Sequence, residues 1–208
     1  MRQLIMYCAD IGSVAKERFA WARGSESAGS LRVDRGPDIR ELVEQVARDL
    51  NGDAPVAMGF ECPLFVPVRD DPNMLTRARV GDGSRSWSAA AGAGALATGI
   101  TEVVWILQEI RSRLTSTQPV FVNWSEFAQV NRGLFLWEAF VTQAAKGESH
   151  TDDAENAVRA FWGSLPNPEG ANAIQETRVH SLLGAALLRT GWSKDLGLLG
   201  MPCLVIKA

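Results

Sequence analysis

Three acidic positions in this chain stand where carboxylates could do chemistry. Asp10 ends the apolar run Leu4-Ile5-Met6-Tyr7-Cys8-Ala9 and is followed at once by Ile11-Gly12-Ser13. Glu61 ends a second run, Val56-Ala57-Met58-Gly59-Phe60, just before Cys62-Pro63. Asp152 and Asp153 open a helical stretch whose apolar stripe is Ala154, Ala157, Val158 and Phe161. At about 100° per residue, Asp153 falls at the border of that stripe and Asp152 points away from it. A carboxylate at the tip of a buried strand is costly unless it is paired, solvated or bound to a cation. Three carboxylates gathered from distant parts of one sheet are a means of holding Mg²⁺ or Mn²⁺. Glu138 lies inside a further apolar run, Leu134 to Val141. It is a fourth candidate, joined to the site or paired with a buried cation such as an arginine.

The elements that must position these groups follow from the apolar pattern. Residues 4–10 and 55–60 are unbroken apolar runs, expected as strands buried on both faces. Residues 18–22 and 30–33 read as two more strands, with 24–29 as a hairpin loop. Asp38 with Glu41 three residues later predicts a capping box, and Ile39, Leu42, Val43, Val46 and Leu50 follow at helical spacing. Residues 101–114 predict a helix, and the small residues of 88–98 suit a helix that runs into it; further helices are expected over about 151–163 and 174–190. Leu134 to Val141 is the expected fifth strand, and 203–206 a short edge strand. The reading is one α/β domain, 1–208, with a mixed five-stranded sheet and helices on both faces. It carries a long insertion at about 64–99 and a helical extension from about 164.

Composition limits the function classes. The chain has 208 residues, 46% hydrophobic and 22% charged, and a net charge of -3. That balance argues against a protein that clamps long duplex nucleic acid non-specifically, while leaving room for a local basic patch. Arg69, Arg77, Arg79 and Arg85 cluster in one segment and are either such a patch or a solvated loop with internal ion pairs. Trp87 beside Arg85 is a candidate for stacking on a base, and His150 for touching phosphate or relaying a proton. Trp21, Trp105, Trp137 and Trp162 fit core positions. Cys8, Cys62 and Cys203 are far apart and lack metal-ligand spacing, so they read as buried thiols. No apolar stretch reaches the roughly 18 residues of a membrane span, and the expected location is the cytoplasm.

Several stretches resemble the ribonuclease H-like superfamily, in its branch of predicted nucleases of unknown function. They are Ala9-Asp10-Ile11-Gly12-Ser13, Gly59-Phe60-Glu61-Cys62-Pro63-Leu64, Trp137-Glu138-Ala139-Phe140-Val141 and His150-Thr151-Asp152-Asp153-Ala154. RuvC-type junction resolvases are more distant members. The resemblance implies a nuclease in which Asp10, Glu61 and Asp153 bind two divalent ions, Mg²⁺ or Mn²⁺, and cleave phosphodiesters without a covalent intermediate. It also implies substrate contacts from Arg77, Arg79, Arg85, Trp87 and His150, and a homodimer as in junction-cutting relatives. The resolvases carry two aspartates three residues apart on the late helix, whereas here Asp153 is followed by Asn156. Asn156 can offer a carbonyl oxygen but no charge, and Glu138 is the candidate to replace the missing carboxylate.

Other classes fit less well. There is no Gly-x-Ser-x-Gly and there are only two histidines, against a serine hydrolase; the P-loop pattern is also absent. An actin-like phosphotransferase needs two such domains. The main alternative is a ribonuclease H-like domain that has lost part of its site and acts as a binding or structural module.

Overall fold

A computed structural model describes residues 3–208 apart from Ser84 and Thr142. The unbroken apolar runs form the centre of one mixed sheet. Strand β1 (Ile5–Asp10) pairs antiparallel with β2 (Ala20–Ser27), which pairs antiparallel with β3 (Ser30–Gly36). On its other edge β1 runs parallel to β4 (Pro55–Glu61), and β4 runs parallel to β7 (Gly133–Phe140). The three antiparallel strands followed by parallel ones match the sequence expectation. The count does not: the sheet has seven strands, because β6 (Val120–Phe121) and β9 (Val205–Lys207) both add to the far edge of β7. A separate pair joins β5 (Phe65–Pro67) to β8 (Val179–Ser181). Strands as short as β5, β6 and β8 show no period of two and the sequence pattern does not reveal them, whereas β9 answers to the edge strand expected over 203–206.

Other boundaries also move. The β2–β3 turn is only Ala28-Gly29, both at positive φ, which matches the twist of a two-residue hairpin and lets β2 run on to Ser27. Helix α1 (Ile39–Asn51) is capped by Asp38 accepting from the Arg40 N–H, while Glu41 accepts from Gln45 instead of closing a capping box. Residues 88–98 do run into the next helix, making α2 (Ala90–Ser112) one helix of 23 residues. Against expectation, α2 is long and apolar enough, by length and composition, to cross a membrane. Its first half is mostly Ala and Gly, and in the second half Val103, Ile106, Leu107 and Ile110 are core residues. Trp105, expected in the core, is 37% exposed on this helix. Helix α3 is Trp124–Val130, and α4 is His150–Ser164. The last helix, α5 (Leu182–Thr190), starts later than its apolar pattern suggests, because Val179–Ser181 pairs with β5 and Ser181 caps the helix. The segment after 164 is therefore part sheet, not only helical.

Alternation along the strands divides the core into two layers. Tyr7 and Ala9, Met58 and Phe60, and Leu134 and Leu136 face α1, α2 and α5. Met6 and Cys8, Ala57, and Phe135 and Trp137 face α3 and α4. Gly59 shares the second face, where an added Cβ would lie 2.5 Å from the Trp137 ring. The acids at the strand tips inherit these directions: Asp10 and Glu61 lie on the α4 face, and Glu138 lies on the opposite one.

Glu138 is the paired form of the two possibilities. Its carboxylate accepts from Arg79 Nη1 and Nη2 at 2.9 and 2.6 Å and from the Leu64 N–H at 2.9 Å. Arg79 also reaches Asp82 at 3.0 Å and sits over the Phe65 ring. All three charged residues are buried. Removing one member of such a cluster leaves a buried charge uncompensated, at about 3–5 kcal/mol. Arg79→Met is therefore expected to lower unfolding free energy by about that amount in urea titrations. The same substitution in an E138Q background should cost less, since one of the stranded charges is gone.

Candidate functional site

The parallel register sets Asp10 directly beside Glu61 at the carboxyl ends of β1 and β4. Such strand ends are where ligands gather in open α/β sheets. Across from them begins α4, held by a complete capping box: Ser149 accepts from the Asp152 N–H, and Asp152 accepts from the Ser149 N–H. Asp152 also pairs with Arg35 of β3, on the outer side. This start fixes the phase of the helix. His150 and Asp153, three residues apart, therefore turn together toward the sheet.

His150 Nδ1 lies 2.6 Å from Asp10 Oδ2. Asp153, buried, accepts from Lys146 Nζ at 2.9 Å and from the Gly147 N–H at 2.7 Å. One ligand atom each from Asp10, His150 and Asp153 lies within 4.8 Å of the others, a grouping that could hold a metal ion. Glu61 has an oxygen, Oε2, that is buried and has no hydrogen-bond partner among the described residues. An unpartnered buried carboxylate oxygen beside two other acids suits a cation. The structure thus brings Asp10, Glu61, Asp153 and His150 together.

Electrostatics carry the same signature. Burial pushes the Asp10 carboxyl up to about 6, with His150 pulling it back and the charge of Asp153 adding to the rise. Glu61 goes further, to about 9, through burial and then the charges of Asp10 and Asp153, opposed by Lys146 and Arg85. A third acid, Glu102 of α2, is pushed up to about 7 by burial, although it holds the Gly12 backbone. Its Oε2 is also buried without a partner among the described residues. Burial first, and then the mutual repulsion of the acids, disfavours their ionising together in the metal-free chain.

The acids open into a cleft of about 390 Å³, walled by Lys16, Arg18, Arg85, Lys146, Trp87 and the first turns of α2. Of the two readings of the four arginines, internal ion pairs hold for two of them. Arg69 pairs with Glu176, and Arg79, although it edges the cleft, is buried and paired with Glu138 and Asp82. Arg77 is exposed beside Met74 and does not line the cleft. Arg85 does line it, with its guanidinium donating to the Val141 carbonyl. The Trp87 indole N–H donates to the Arg77 carbonyl at 3.0 Å, which fixes the ring at the cleft wall. Asn156 donates to the Ala145 carbonyl at 2.8 Å, bracing the segment that carries Lys146.

Lys16, Arg18, Glu102 and Lys146 escaped the sequence reading. Glu102 did leave a signal, being the first charge after the long uncharged start of α2. No family model, curated protein or solved structure matches this chain. What fold and site define together is a mixed α/β sheet protein with a carboxylate triad and an adjoining histidine at its strand ends.

The raised carboxyls predict a pH dependence for the metal-free protein. A raised folded-state pKa means the folded chain binds more protons than the unfolded one, so stability falls as pH rises. The loss should begin near pH 4, persist for Asp10 to about 6 and for Glu61 to about 9. E61Q should match wild type near pH 4 and exceed it at pH 8 by roughly a few kcal/mol in denaturant titrations.

Proposed function

We propose that this protein is a divalent-metal-dependent phosphodiesterase acting on nucleic acid, of ribonuclease H-like architecture. The observation that carries the reading is the in-register pair Asp10 and Glu61 facing Asp153, with a buried, partnerless Glu61 oxygen among them. The strand order β3-β2-β1-β4-β7, with acids at the ends of β1 and β4 and at the start of α4, supports the architecture.

Asp10, Glu61 and Asp153 are the residues that would hold Mg²⁺ or Mn²⁺. When bound, such an ion supplies a Lewis acid that makes water a better nucleophile and neutralises charge developing on phosphate. The chain's own groups do the rest. His150 has its Nδ1 engaged by Asp10 and its side chain 43% exposed, which leaves the other ring nitrogen to take or give a proton. Lys16, Arg18 and Arg85 have no carboxylate partner among the described residues and line the cleft, where a phosphodiester needs neutralising charge. Trp87 offers a ring face for a base.

The Lys146–Asp153 ion pair favours a second reading, a degenerate binding or structural module in which a side chain of the protein, not a metal, answers the charge of Asp153. Mn²⁺ calorimetry beside a fluorogenic nuclease screen separates the two. The nuclease reading expects binding and cleavage in wild type, with cleavage reduced at least a hundredfold in Asp10→Asn and metal affinity sharply weakened. No heat at millimolar Mn²⁺ in the wild type would leave the binding module.

A further inference from the structure

Two metal ions about 3.5–4 Å apart need carboxylate oxygens free to bridge them. This cluster has few. Asp153 has both oxygens engaged, by the Lys146 ammonium and the Gly147 N–H. Asp10 Oδ2 is engaged by His150. Glu138, the candidate for a further ligand, is on the other face of the sheet and saturated by Arg79 and Leu64. Asn156 turns its amide to the Ala145 carbonyl.

Lys146 is also built into its position. Asn156 braces Ala145 from within α4, Asp153 receives Gly147 just after it, and the Ser149–Asp152 capping box closes the segment. The acids Glu61 and Asp10 act on the ammonium along with Asp153. The Lys146 ammonium thus lies among three acids, and the oxygens left without a partner among the described residues, Asp10 Oδ1 and Glu61 Oε2, suffice for a single ion.

We propose that the Lys146 ammonium is a resident cation of this cluster, standing where a second divalent ion would otherwise be needed, so that the site takes one divalent ion. The inference rests on the metal-site reading above, and the test tells the two apart. Mn²⁺ binding is counted by calorimetry and the bound ion read by electron paramagnetic resonance, on wild type, K146M and K146R, with thermal unfolding to check that each is folded. Wild type and K146R should bind one Mn²⁺ per chain with an uncoupled signal. K146M, freed of a nearby like charge, should bind its ion about tenfold more tightly. A lysine that merely braced the segment would instead lose affinity on substitution, and unchanged or weaker binding in K146M overturns the proposal. Two coupled ions in the wild type would overturn the role of Lys146 while keeping the metal site. No bound ion in any variant would overturn the metal site itself.

Discussion

The in-register parallel pairing of β1 with β4 is the constraint on which this structure turns. It sets Asp10 against Glu61 at the ends of two strands that are otherwise buried along nearly their whole length. Neither residue can move away, because each strand is held by neighbours on both edges and by helices on both faces. Ionising both carboxyls there opposes desolvation and mutual repulsion at once. What surrounds them can be understood as compensation: a histidine on Asp10, a lysine on Asp153, and the amino end of α4 pointing in. The compensation is partial, and the raised Glu61 carboxyl is the measure of what is left over.

The same end of the sheet resolves a second buried acid in the opposite way. Glu138 is one strand further along and on the other face, and Arg79, Asp82 and the Leu64 N–H close around it. That cluster satisfies its own charges and ties the 64–82 segment onto the sheet. Two groups of acids at one end of the sheet thus have different fates. Both edge the cleft, but one has its carboxylate saturated by an arginine, while the other keeps a buried oxygen without a partner among the described residues. Contrast of this kind, more than the presence of acids, marks the Asp10–Glu61–Asp153 group as the candidate site.

Packing supports the open site from below. Gly59 lets Trp137 lie flat across β4, and Phe161 of α4 stacks on the other side of that ring at 4.7 Å. The contact anchors α4 to the sheet along the face that carries Asp10 and Glu61, so the distance between helix start and strand ends is set by a rigid aromatic layer. The capping box then sets rotation, turning His150 and Asp153 inward and Asp152 outward to Arg35.

Much of this was legible in the sequence where the physics is local. Unbroken apolar runs marked β1, β4 and β7; helical spacing marked α1 and α4; and the position of Asp153 at the border of its apolar stripe distinguished it from Asp152. Asp10 and Glu61 were legible because a charge ending an apolar run needs an explanation wherever the chain goes. Other features depended on partners far away in the chain. Whether Glu138 joined the acids or opposed them hung on a register in which it aligns with Phe60 and not with Glu61, and a shift of one residue inverts the face. Arg79 reads as surface charge until Glu138 is seen beside it, and β6 and β8 are strands only because an edge was waiting for them. Periodicity is written into consecutive residues, so the sequence alone determined the main elements and the candidate acids. Register, ion-pair partners and the approach of Lys146 arise between distant segments, and only the tertiary structure decided them.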